Sequence, residues 1–241
     1  MIKGSQTTTA LAIGLSIAFT CSGVRADESA NAQVDEPANT VKMGYVGVLF
    51  NTNSGYLSGP PGSTPPGIQI DVKNTSILGL SYQRNLSDHW SVLFQAGSPV
   101  AVRSEGAGNA AGVGALTTAK AWFPALMLDY TFTDFHGIRP YMGLGVNYTF
   151  FTNQKVNATY TNAFQGTQTS IKMKDSWGPV ARLGVEYLVN KHWVVDFSYL
   201  HYWVRTTLTL TTATPGFGNV TRTIGVKINP DLLGLVVGYR F

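Results

Sequence analysis

Read backwards from Phe241, the last strand alternates: Tyr239, Val237, Leu235 and Leu233 are apolar, while Arg240, Gly238, Val236 and Gly234 between them are mostly small or charged. Such a period of two gives one greasy face and one face that tolerates small or charged groups, which suits a strand with lipid on one side only. The same alternation recurs in eight segments, at 40–50, 68–84, 90–100, 118–132, 139–151, 175–188, 193–207 and 222–241. The links between them alternate in length. Those at 51–67, 101–117, 152–174 and 208–221 are long and rich in Gly, Thr, Asn and Pro, whereas 85–89, 133–138 and 189–192 are tight turns. The pattern predicts an all-β fold, an eight-stranded antiparallel transmembrane β-barrel with short periplasmic turns and long external loops. A barrel of that size is filled mostly by side chains, leaving little room for a wide aqueous pore.

Targeting and composition agree with this compartment. Lys3, an apolar run from Ala10 to Thr20 and Val24-Arg25-Ala26 predict a signal peptide over residues 1–26. Residues 27–39 are acidic and aperiodic and read as a disordered periplasmic lead-in, with the barrel occupying 40–241. The one cysteine, Cys21, lies in the expected leader, so the barrel segment holds no thiol for a disulfide, a zinc site or a nucleophile. Seventeen basic residues stand against thirteen acidic ones; without Lys3 and Arg25 the balance falls to fifteen against thirteen, too slight to argue for nucleic acid.

Aromatic residues fall into two expected girdles. Trp90, Tyr130, Phe132, Tyr187, Trp193, Tyr239 and Phe241 lie near the turns, and Phe150, Phe151, Tyr199, Tyr202 and Trp203 nearer the long loops. With apolar parity outward, the inward set near the periplasmic end includes Asp129, Arg182, Glu186, Asp196 and Arg240. Charges inside a narrow barrel persist only when paired, and two arginines among three carboxylates predict a structural network rather than acid–base chemistry. Higher up, Val46, Val48, Phe50, Ile77, Leu93, Phe123, Met127 and Leu200 are expected to line an apolar path, together with Gln95.

Other candidates carry less chemistry. His89, His136 and His192 lie at the turns and His201 points outward; no two have metal-ligand spacing on one face, so no metal or cofactor is expected. Gly106, Gly108, Gly112 and Gly114 open no helix and read as a flexible external loop, and the Pro-Pro pairs at 60–61 and 65–66 as a stiff, extended first loop. Pro99 and Pro124 stand out because each withholds a ladder donor from neighbouring strands of a barrel that has no edge. Either they end pairing near a loop, or they mark a gap through which a ligand leaves sideways into the lipid.

Four segments, RPYMGLGVNYTFF (139–151), KMKDSWGP (172–179), GVEYLVNKHWVV (184–195) and VGYRF (237–241), resemble the OmpW/AlkL family of eight-stranded outer-membrane proteins. The resemblance implies a passive channel for small hydrophobic molecules, with a lumen open outward, blocked toward the periplasm, and a lateral exit beside Pro99. It also implies that Gln95 and Leu200 occupy positions where family members place apolar side chains that help close the lumen; Gln95 departs from that pattern. The expected partners are the lipid bilayer, lipopolysaccharide, a small hydrophobic ligand and, through Phe241, the barrel-assembly machinery. Two alternatives remain at this point: a structural or receptor barrel with a plugged lumen, and a narrow channel for polar or cationic solutes.

Overall fold

A computed structural model describes residues 38–132 and 135–241. The leader expected over 1–26 and nearly all of the lead-in expected over 27–39 lie outside the described residues. The described chain forms β1 (Asn39–Phe50), β2 (Asn53–Ser54), β3 (Ile68–Val72), β4 (Thr75–Asn85), β5 (Trp90–Gly97), β6 (Val100–Gly108), β7 (Ala115–Trp122), β8 (Ala125–Thr131) and β9 (Ile138–Val156). After a one-and-a-half-turn helix, α1 (Ala158–Ala163), come β10 (Gln168–Met173), β11 (Ser176–Leu188), β12 (Trp193–Tyr202), β13 (Arg205–Thr214), β14 (Gly218–Lys227) and β15 (Pro230–Arg240).

Eight of these strands, β1, β4, β5, β8, β9, β11, β12 and β15, close into an antiparallel barrel. Closure is made by β1 against β15, where Val41 faces Tyr239 and Phe50 faces Pro230. At the bottom, Asn39 N donates to the Phe241 carbonyl at 3.0 Å and Phe241 N returns a bond of 2.9 Å. Closing the ring pairs the ladder groups that an open sheet edge would leave bare in hydrocarbon. The alternation places Met43, Tyr45, Leu78, Leu144 and Leu235 outward and exposed, while Val46, Val48, Leu93 and Met127 point in and are buried.

Above the barrel the wall divides into two sheets, β3-β6-β7-β9 and β10-β13-β14-β2. These strands occupy much of what the residue pattern assigns to external loops. Residues 101–117 form the β6–β7 hairpin and 208–221 the β13–β14 hairpin, because the segments still alternate, with Thr outward above the membrane where hydrocarbon is not required. The glycine-rich stretch is therefore paired rather than a free loop: Gly108 sits opposite Ile68, and Gly112 and Gly114 turn the tip with φ of 83° and 82°. The first loop is likewise not extended, since Ser63 N bonds the Pro60 carbonyl at 3.0 Å across a turn whose Gly62 has φ 74°.

The upper aromatic girdle also differs from expectation. Phe151 and Tyr202 face the interior, 8% and 0% exposed, because consecutive residues of a strand cannot share a face. Trp177, 73% exposed, and Trp203 belong to the outer surface at this level, and the Tyr148 ring lies tilted against Trp177 with centroids 4.7 Å apart.

Candidate functional site

The interior has a charged floor. Asp129 on β8, Arg182 and Glu186 on β11 and Asp196 on β12 converge there, each at least 94% buried. Arg182 donates to Asp129 and, at 2.8 Å, to Asp196 Oδ2; its guanidinium also lies 4.1 Å from the Tyr141 ring centroid. Glu186 and Asp196 stand directly opposite each other across the β11–β12 ladder, a repulsive pair in isolation. Lys42 on β1 resolves it by donating to Glu186 and, at 2.7 Å, to Asp196. Tyr141 OH adds a 2.6 Å bond to the other oxygen of Asp196. Arg240 is buried on the inward face of β15, opposite Thr40.

Glycines make room for this cluster. Gly143 lies opposite Asp129 and Gly184 opposite Tyr141, and a Cβ at either position would collide with the carboxylate or the phenol. Lys42 and Tyr141 are missing from the set read off the residue pattern. Their parity was visible, since Lys42 falls between outward Val41 and Met43, but a lone cation in an apolar run did not signal a partner.

Above the floor the apolar candidates Val46, Val48, Phe50, Leu93, Met127 and Leu200 are buried at 0–8% exposure and belong to one hydrophobic cluster, with Phe123 packed against it. They pack against one another inside the barrel above the charged floor. The extracellular end is covered as well: Arg222, on β14, donates to the Ser63 carbonyl from Nε at 3.2 Å and Nη2 at 2.8 Å and lies 3.9 Å from the centroid of Phe164, just after α1. Burial there pushes the Tyr160 phenol on α1 up to about 12.

The wall is interrupted at Pro99 and Pro124. Pairing of β5 with β8 stops at Gln95 opposite Ala125, and pairing of β6 with β7 begins at Val100 opposite Ala121, one residue out of register. On the other flank of the same strand, β4–β5 pairing ends at Gly79 opposite Gly97 and β3–β6 pairing resumes only at Val72 opposite Ser104. A cavity of about 110 Å³ occupies this break. Tyr202 and Leu232, both buried in the barrel, line its inner side. Trp122 and Phe150, stacked at 5.9 Å and 4°, line its other side. Gln95, Ala96, Gly97, Ser98, Phe123 and Pro124 also line it.

A closed eight-stranded barrel with an apolar outer surface, aromatic residues at its margins and a charged floor inside defines an outer-membrane β-barrel protein. The model of the OmpW family matches residues 38–241, and the chain belongs to that family. Outer membrane protein W of Salmonella typhimurium is 32% identical over 173 residues, covering 71% of this chain and 76% of that protein. The dibenzothiophene metabolism operon protein PahQ of Pseudomonas aeruginosa is 25% identical over 86% of this chain and 90% of its own. Among solved structures, the outer membrane protein OprG from Pseudomonas aeruginosa superposes with a TM-score of 0.75 at 25% identity, covering 86% of this chain and 97% of OprG.

Proposed function

We propose that this outer-membrane barrel is a passive conduit for small hydrophobic molecules, which enter from the extracellular end and leave sideways between β5 and β8 into the bilayer. It performs no chemistry on its solute. The observation that carries the reading is the unpaired stretch at Pro99 and Pro124 together with the cavity lined by both core and rim residues. The charged floor supports a sideways route, because an apolar solute moving straight down would have to displace paired, buried ions. Dibenzothiophene, which the name of one relative carries, is a small aromatic hydrophobe of the kind such a route would suit. In this reading the Arg222 latch to Ser63 opens before a solute enters.

The packed lumen favours a second reading, a structural or receptor barrel that passes nothing. Pro99→Ala separates the two. It restores a backbone donor between β5 and β6, so uptake of a small aromatic hydrocarbon into cells at matched surface expression should fall several-fold while the barrel stays folded. Equal uptake by native and variant cells, at the rate of cells lacking the protein, would favour the plugged barrel.

Two partners follow from the same placement. Phe241, 55% exposed beside the closing strand, is the end offered to the assembly machinery. Lys174, Arg205 and Lys227 lie at the base of the β10-β13-β14 sheet, and Arg205 directly opposes Lys227. None of the three has an ion-pair partner among the described residues, so phosphates of the lipopolysaccharide leaflet would relieve their repulsion.

A further inference from the structure

We infer that the cavity at the broken seam selects a small amphiphile, a hydrocarbon body carrying one uncharged hydrogen-bonding group, and that Gln95 is the residue that reads this group. The inference rests on the lateral route proposed above and names the class of solute that takes it.

Gln95 is on the inward parity of β5, in line with buried Ser91 and Leu93, and is the last residue of β5 paired with β8 before the break. Its carboxamide is half-buried at the cavity wall and makes no hydrogen bond among the described residues. A ligand in the cavity that offers a donor or acceptor gives this amide the partner the protein does not supply, in surroundings otherwise poor in polar groups. Tyr202, which lines the same cavity, is fully buried, and its hydroxyl also lacks a partner.

The rest of the lining decides the chemistry. Ile77, Val100, Phe123 and Leu232 supply an apolar surface, and no Asp, Glu, Lys or Arg borders the cavity. An ion would therefore find no counter-charge, whereas an amide and a phenol each both donate and accept. A neutral hydroxyl or carbonyl on a greasy body satisfies the Gln95 amide without bringing a charge. At about 110 Å³ the space is somewhat smaller than a cavity of about 150 Å³ that holds benzene, so a single ring or a short stretch of chain fills it.

The consequence is asymmetric. A site built to hydrogen-bond a hydroxyl discriminates against the analogue that lacks it, because the polar groups are then left unpaired, while a purely apolar site tells the two apart poorly. The solutes p-cresol and p-xylene have nearly the same shape and differ by hydroxyl against methyl. In cells carrying the native protein, uptake above that of cells without it should favour p-cresol. Gln95→Leu should lower the p-cresol to p-xylene ratio about five- to tenfold, the worth of one hydrogen bond, and Gln95→Asn, which keeps the amide, should restore part of it. In the refolded native barrel, p-cresol should shift the Gln95 side-chain amide resonances in NMR spectra and p-xylene at equal concentration should not.

An unchanged ratio in Gln95→Leu, or equal shifts with both solutes, would overturn the inference. If p-cresol alone shifts the amide but neither solute enters faster than in cells without the protein, the lateral route fails and the binding site stands.

Discussion

Seven of the eight wall strands break at about the same height, β9 alone running through, yet the breaks are not alike. Between β12 and β13 the gap is stitched. Trp203 N donates to the Pro179 carbonyl at 3.2 Å, Val204 N to Asn229 Oδ1 at 3.1 Å, and Arg205 N to Ser176 Oγ at 3.2 Å. Between β1 and β4 the same is achieved by Asn74, whose Oδ1 accepts from Phe50 N at 2.8 Å, and Thr52, whose Oγ1 accepts from Val72 N at 3.1 Å. Between β5 and β8, where Pro99 and Pro124 face each other's strand, register pairing lapses and a cavity takes its place.

Proline alone does not explain the difference. Pro140 and Pro179 lie inside paired registers, opposite Val185 and Val146, and Pro230 sits opposite Phe50. The carbonyls of Pro140 and Pro179 accept from Phe132 N at 2.8 Å and Trp203 N at 3.2 Å, as that of Pro124 does from Tyr148 N at 3.1 Å. What sets the β5–β8 seam apart is two prolines at one level with only Ala96, Gly97 and Ser98 beside them, and Ser98 spends its backbone N on Leu78 and accepts from Leu78 N with its hydroxyl, both on the β4 side.

The comparison can be broken at several places, and the largest effect belongs to the floor that leaves the seam as the way out. Arg182→Ala strands Asp129 and Asp196 without their shared cation, which should cost about 3–5 kcal/mol; the temperature at which the barrel loses its compact gel mobility reads this directly, and an unaltered value would remove the floor from the account. Because Lys42 also serves Asp196, a Lys42→Ala, Arg182→Ala pair should be clearly non-additive in the same assay. Asn229→Ala comes next. It unstitches a closed break, leaving the Val204 amide unpaired at about 1–3 kcal/mol, and faster hydrogen exchange at Val204 should report a second opening where the native wall has none.

Arg222→Leu tests the extracellular cover. Losing two bonds to Ser63 should cost about 1–2 kcal/mol and, if the latch limits admission, quicken uptake of an aromatic hydrocarbon while the seam is unchanged. Slower uptake would mean the latch is no gate. The smallest effect is expected from Lys227→Gln at the outer base of β14. It relieves the repulsion with Arg205 and weakens attraction to lipopolysaccharide by about 1 kcal/mol, a difference that should vanish in high salt.

The parity of each strand was readable from the residues, since outward apolar runs such as Met43, Tyr45 and Leu235 need lipid and fix the opposite face as interior. That logic reached Asp129, Arg182, Glu186 and Asp196 and the packed positions Val46, Leu93 and Met127. It faltered where the outer face stops touching hydrocarbon. Thr207, Thr209 and Thr211 face outward from β13 with Leu208 and Leu210 within, a true strand whose polar face imitates a loop. Phe151 and Tyr202 were misplaced because aromatic content was weighed above parity. The stitching by Asn74, Asn229 and Ser176 was beyond reach, because a side chain accepting from a backbone N–H more than twenty residues away leaves no periodic trace.

The most direct test of the seam is a crystal structure of the barrel grown with p-bromophenol, read at the bromine absorption edge. The account predicts an anomalous peak between Gly97 and Phe123, with the phenol oxygen within hydrogen-bonding distance of the Gln95 amide. Bromine found only beneath the extracellular hairpins, with β5 and β8 still parted and their cavity empty, would contradict it.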